Sequence, residues 1–157
     1  MVSGDARGHG AERARGHRRV VAEPGGRAPF EQLDFLYVPS RDVAEDLAFF
    51  SEVLGGRVMF AIDSMGTRVA AVRLTEDPPL VLLTDHLEGD RPILVYRVPQ
   101  LGAALTELEG RGWRREDAFE IPHGPICSFQ GPGGHRVALY QLTRPEVAEH
   151  FEGRRDF

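Results

Sequence analysis

The chain has 157 residues, enough for one ordinary domain and too few for two independent ones. Hydrophobic residues make up 41% and charged residues 27%, a globular rather than disordered balance. The net charge is −5 and is unevenly spread: residues 1–28 hold six arginines against three carboxylates, so residues 29–157 carry −8.

A net-acidic body argues against a nucleic-acid partner. No apolar run is long enough to cross a membrane. MVSGDARGHGAERARGHRR lacks the apolar stretch of a secretory signal. One cysteine (Cys127) makes no internal disulfide, which fits a reducing, cytoplasmic location. All basic residues are arginine. Residues 1–28 read as a solvated, disordered Arg/Gly-rich tail.

Ordered structure is expected from about Phe30. LDFLYV (33–38) reads as a strand stopped by Pro39. SRDVAEDLAFFSEVLGG follows as a helix, with Val43, Leu47, Phe50 and Leu54 on one face. Ser40 or Asp42 is positioned to cap it, and Gly55-Gly56 to end it. RVMFAI (57–62), TRVAAVRL (67–74) and PLVLLT (79–84) read as strands. The pattern then restarts: strand PILVYRV (92–98), and helix QLGAALTELEGRGW with Leu101, Leu105 and Leu108 aligned. WRREDAFEI (113–121), ICSFQ (126–130) and HRVALYQL (135–142) complete the strands. Thr143 is expected to cap a short helix over EVAEHF, leaving EGRRDF to fold back or meet a second subunit.

Each half therefore reads β-α-β-β-β, with module 1 at about 30–84 and module 2 at about 92–142. The expected organisation is a tail (1–28), one domain (29–142) and a C-terminal helix with its tail (143–157). The fold class is α+β: two tandem βαβββ modules forming a curved mixed sheet around a cleft, because one module alone leaves a sheet face unburied.

The duplicated module, the segment LAFFSEVLGGRV, the second LGAALTELEGRGW and the closing GPGGHRVALYQL resemble the vicinal oxygen chelate superfamily. That family includes glyoxalase I, extradiol dioxygenases and bleomycin-resistance proteins. The resemblance implies a cleft between the modules, a homodimer and, in the family's enzymes, a divalent metal held by His, Glu or Gln. Carried over one by one, the ligand positions fall on Phe35 or Leu33, then on Val81, Ile93 and Ala138. None of these side chains ligates a metal, so no metal and no cofactor are expected.

The sequence thus predicts a metal-independent small-molecule-binding protein. Its expected cleft is lined by Phe35, Tyr37, Val81, Ile93, Val95, His123, Cys127, Ala138 and Tyr140. The alternative is a glyoxalase- or dioxygenase-type enzyme with a non-standard or metal-free site. A third reading is a regulatory subunit that uses the arginine-rich tail. His123, Cys127 and His135 raise one further option, convergence across the hairpin over 126–142. The residue-level readings favour a turn role for His123 and His135, and a buried apolar role for Cys127.

Overall fold

The computed structural model describes residues 28–157. Residues 1–27, and with them nearly all of the tail expected at 1–28, lie outside the described residues.

Eight strands form one sheet: β1 (Gln32–Pro39), β2 (Arg57–Ser64), β3 (Thr67–Arg73), β4 (Leu80–Thr84), β5 (Ile93–Arg97), β6 (Asp117–Ile121), β7 (Gly124–Gln130) and β8 (Arg136–Tyr140). Their order is β2-β3-β4-β1-β5-β8-β7-β6. Each module places its last strand parallel to its first (β1 with β4, β5 with β8), and the antiparallel β1–β5 pair joins the modules.

One face of the sheet carries the helices. Helix α1 (Val43–Ala48) buries Val43 and Leu47 against Ala61, Ala70, Val72, Val81 and Leu83. Helix α2 (Leu101–Gly110) buries Leu101, Ala104 and Leu105 against Val98, Cys127 and Leu139. The other face gathers Ile93, Val95, Ile126, Ala138 and Tyr140, with Phe35 and Tyr37 packed against them.

The first helix departs from the expected regular pattern. Asp42 accepts a hydrogen bond from the Glu45 N–H (3.0 Å) and caps α1, but Phe49–Val53 is a π-helical turn. Its wider winding shifts the helical phase, so Leu54 is turned outward and is 49% exposed. The chain can then descend at once into β2 only because residue 56 is glycine. A Cβ there would sit 2.4 Å from Val72 Cγ1 and 2.8 Å from the Phe50 carbonyl oxygen.

β6 starts at Asp117 rather than Trp113, because the Trp113 N–H is still bonded to the Leu108 carbonyl at the end of α2 (3.1 Å) and its ring packs edge-on to Phe129. Helix α3 (Val147–Phe151) has Glu146 as its N-cap, without a side-chain hydrogen bond. The expected cap, Thr143, instead donates its backbone N–H to the His123 carbonyl (3.0 Å). The final residues fold back on β2. Arg155 bridges to Ala61 in parallel, and Asp156 accepts the Asp63 N–H (2.9 Å). This covers the backbone of an edge strand, which otherwise presents unpaired N–H and C=O groups.

Candidate functional site

Two β-bulges shape the helix-free face. On β1 the pairing with β5 shifts between Leu33 and Phe35; on β2 the pairing with β3 shifts between Val58 and Phe60. A bulge sets two consecutive residues against one on the partner strand. Asp34 and Phe35 therefore both reach the cleft, as do Met59 and Phe60. The cleft is a cavity of about 500 Å³ between β1, the β2–β4 arm, β5, β8 and α3. Its apolar wall includes Phe35, Met59, Phe60, Leu80, Leu82 and Phe151.

Asp34 is the buried polar centre of this cleft, only 7% exposed. An unpartnered carboxylate at such a position would cost several kcal/mol (order of magnitude). Here the Tyr140 hydroxyl donates to Oδ2, and the Gln32 side-chain amide donates to Oδ1 at 2.5 Å. Arg97 Nε lies 3.6 Å from Asp34 Oδ2 and 3.1 Å from Glu31 Oε2, a Coulombic contact without hydrogen-bond alignment. Burial first, then the hydrogen bond and charge of Asp34, push the Tyr140 hydroxyl far above the usual phenol range.

His123 lies beside Phe35 (ring centroids 5.5 Å apart) and Tyr140 (6.4 Å). Burial holds its imidazole below the ordinary pKa; Asp34 opposes this and Arg144 adds to it. Gly124 sets the place of His123. Its φ is +152°, and a Cβ there would lie 2.0 Å from the Gln141 carbonyl oxygen. Only glycine lets the turn after His123 press so closely on the chain leaving β8.

The positions expected from the sequence divide into groups. Phe35, His123 and Tyr140 line the cavity. Ile93, Val95 and Ala138 are buried in its floor, 9%, 5% and 1% exposed, rather than lining it. Tyr37 shares that face, but its hydroxyl bonds His86 Nε2 (3.0 Å), whose Nδ1 meets Thr84 Oγ1 (2.6 Å). Burial raises the Tyr37 hydroxyl pKa, with the Thr84 hydrogen bond opposing and Asp85 adding.

Two expected positions lie on the helix-covered face. Val81 points under α1, because in β4 it is Leu80 and Leu82 that face the cleft. Cys127 packs under α2, fully buried, and burial pushes its thiol pKa up, the opposite of what a nucleophile needs. His135 lies with Arg91 and Arg136 in a separate surface hollow, so His123, Cys127 and His135 do not converge.

The registers align Leu80, Phe35, Val95 and Ala138 across four adjacent strands. This apolar row crosses the floor where the resemblance puts a metal. Among the described residues no group of three His, Cys, Asp or Glu side chains is placed to hold a metal ion. The residues present therefore do not fit the metal centre of the family's enzymes.

The sequence reading missed Asp34 and the cleft arginines Arg57, Arg73 and Arg97. The lone acid inside LDFLYV was the available signal for Asp34.

No protein-family model matches the chain, and no curated protein does. Solved structures do match. Methylmalonyl-CoA epimerase from Mycobacterium tuberculosis superposes with a TM-score of 0.62 at 19% identity, over 78% of this chain and 94% of that one. Hypothetical protein BH1468 from Bacillus halodurans gives 0.61 at 13% identity, over 72% and 95%. A point variant of Streptomyces coelicolor methylmalonyl-CoA epimerase, in complex with 2-nitronate-propionyl-CoA, gives 0.55 at 15% identity, over 73% and 99%. The chain has the vicinal oxygen chelate fold. At these identities the likeness concerns the fold alone. Within that fold, the apolar row and the Asp34–Tyr140 pair are features of this chain's own residues.

Proposed function

We propose that the protein binds a small, partly apolar molecule in the cleft between its two modules, without a metal. The observation that carries this reading is the apolar row Leu80–Phe35–Val95–Ala138, set beneath a cavity of about 500 Å³. Small-molecule sites are mostly apolar concavities with a few polar groups that fix orientation. Here Asp34, Tyr140 and His123 are those groups. Burial of apolar ligand area supplies the driving force, about 25 cal/mol per Å². The neutral, fluorescent amine N-phenyl-1-naphthylamine tests the claim. The reading expects saturable binding that is the same in EDTA as in added Zn²⁺, Mn²⁺, Fe²⁺ or Ni²⁺. Binding that requires a metal overturns it.

A second reading, a metal-free acid–base enzyme, rests on the buried Asp34 carboxylate facing the cleft. Asp34 and His123 would then exchange protons with a bound carbonyl compound. Its test is proton–deuterium exchange of candidate carbonyl acids in D₂O: exchange lost in Asp34→Asn supports an enzyme, and no exchange leaves the binding reading alone. A homodimer and a cytoplasmic location belong to the same proposal. Light scattering tests the first, with twice the chain mass of 17.4 kDa as the expected result.

A further inference from the structure

Arg57 and Arg73 are direct cross-strand partners at the end of the β2–β3 pair, and both side chains line the cleft. Side chains directly opposite in an antiparallel pair stand about 5 Å apart at Cβ, and like charges there are destabilising. Proteins usually relieve such a pair with a carboxylate. Among the described residues none does so. The ion pairs formed by other arginines take up Asp63, Glu31, Asp34, Glu107, Glu109, Glu120 and Asp156. Glu152 also lines the cleft but forms no ion pair with either arginine.

Arg73 adds a second, independent observation. One terminal nitrogen donates to the Glu76 carbonyl (2.9 Å), while its Nε–H is buried and has no acceptor. A buried donor without a partner is destabilising, more so when it is charged. The third cleft arginine, Arg97, differs in having Glu31 and Asp34 beside it. The β2–β3 end of the cleft therefore holds two uncompensated guanidinium groups next to Met59, Phe60 and Leu80.

We propose that Arg57 and Arg73 form an anion-recognition subsite, and that the cleft's ligand is an amphipathic organic anion. Its apolar body lies on Phe35, Phe60, Leu80 and Leu82, and its carboxylate, sulfonate or phosphate is held between the two guanidinium groups. Guanidinium forks match such planar or tetrahedral oxyanions with paired, charge-assisted hydrogen bonds. The anion would relieve the like-charge pair through the terminal guanidinium nitrogens that face the cleft. This inference rests on the reading of the cleft as a small-molecule site.

Two dyes separate the inference from that reading. 8-Anilinonaphthalene-1-sulfonate and N-phenyl-1-naphthylamine share one apolar body and differ by the sulfonate. In the Arg57→Gln/Arg73→Gln double variant, affinity for the sulfonate should fall at least tenfold, while affinity for the neutral dye changes less than twofold. The exposed Arg57→Gln alone, which leaves the half-buried Arg73 in place, should give a smaller loss of sulfonate affinity and a higher Tm for the ligand-free protein. Equal sulfonate affinity in wild type and both variants overturns the inference, as does a parallel loss of both dyes. Failure of both dyes to bind the wild type overturns the cleft reading itself, and this inference with it.

Discussion

The Tyr140 hydroxyl donates to Asp34 Oδ2, tying the last strand of the second module to the first strand of the first. The bond is buried and joins residues 106 positions apart in sequence. It adds a buried side-chain hydrogen bond to the β1–β5 ladder that joins the two modules.

Tyr140→Phe removes that donor and leaves a buried carboxylate oxygen short of a partner. The expected cost is about 1–3 kcal/mol in chemical denaturation at pH 7. The alkaline limb changes as well. The hydroxyl's folded-state pKa lies above its ordinary value of 10.0, so its stabilisation is complete below pH 10 and drains away as pH rises further. Denaturation midpoints between pH 9 and 11 should fall less steeply in the variant, by up to ~1.4 kcal/mol per pH unit. An unchanged slope would place the strain elsewhere.

His123 acts on the acid side. Burial lowers its folded-state pKa below the ordinary 6.5, so the unfolded chain binds the extra proton first. The stability this contributes is present above pH 6.5 and is lost as pH falls below it. His123→Gln should flatten the stability profile between about pH 6.5 and 5. Superimposable acid limbs for variant and wild type would show that the ring is solvated.

Gly124→Ala forces a Cβ against the Gln141 carbonyl at a backbone angle that side chains rarely adopt. Strain of that kind costs about 1–3 kcal/mol before the clash is counted. A melting temperature lower by several degrees is expected, with shifted NMR signals at His123 and Thr143. A wild-type melt and spectrum would mean that the turn relaxes freely.

Cys127 should be silent toward alkylating reagents in the folded protein. Its thiol is fully buried beneath α2. Iodoacetamide should modify it about a hundredfold or more slowly than in concentrated urea, since reaction must wait for local or global opening. Equal rates in both conditions would contradict the packing.

Much of the fold was legible because hydrophobic alternation, turn residues and the repeated module all agree. LVYRV repeats the role of FLYV, and LGAALTELEG that of DVAEDLAFF. The site was less legible, for reasons that are local. Strict period-two counting places Asp34 and Phe35 on opposite faces; the bulge on β1 brings both to the cleft. The position carried over from the resemblance falls on Val81, although β4 turns Leu80 and Leu82 inward, because nothing in the run PLVLLT marks which side is covered by a helix. The π-helical turn rotated Leu54 out of the apolar face that regular helical spacing assigns to it. The Arg57–Arg73 pairing depends on strand register, which neither RVMFAI nor TRVAAVRL displays by itself.

The central claim is that this cleft, as built by these residues, takes an apolar ligand. Leu82 faces the cavity without belonging to the buried clusters of the core, so Leu82→Trp fills the cleft at little cost to folding. The decisive measurement is a fluorescence titration of N-phenyl-1-naphthylamine into chelated wild-type and Leu82→Trp protein. The account predicts one saturable site per chain in the wild type and at least a tenfold loss in the variant, at an unchanged Tm. Equal binding by the two proteins would contradict it.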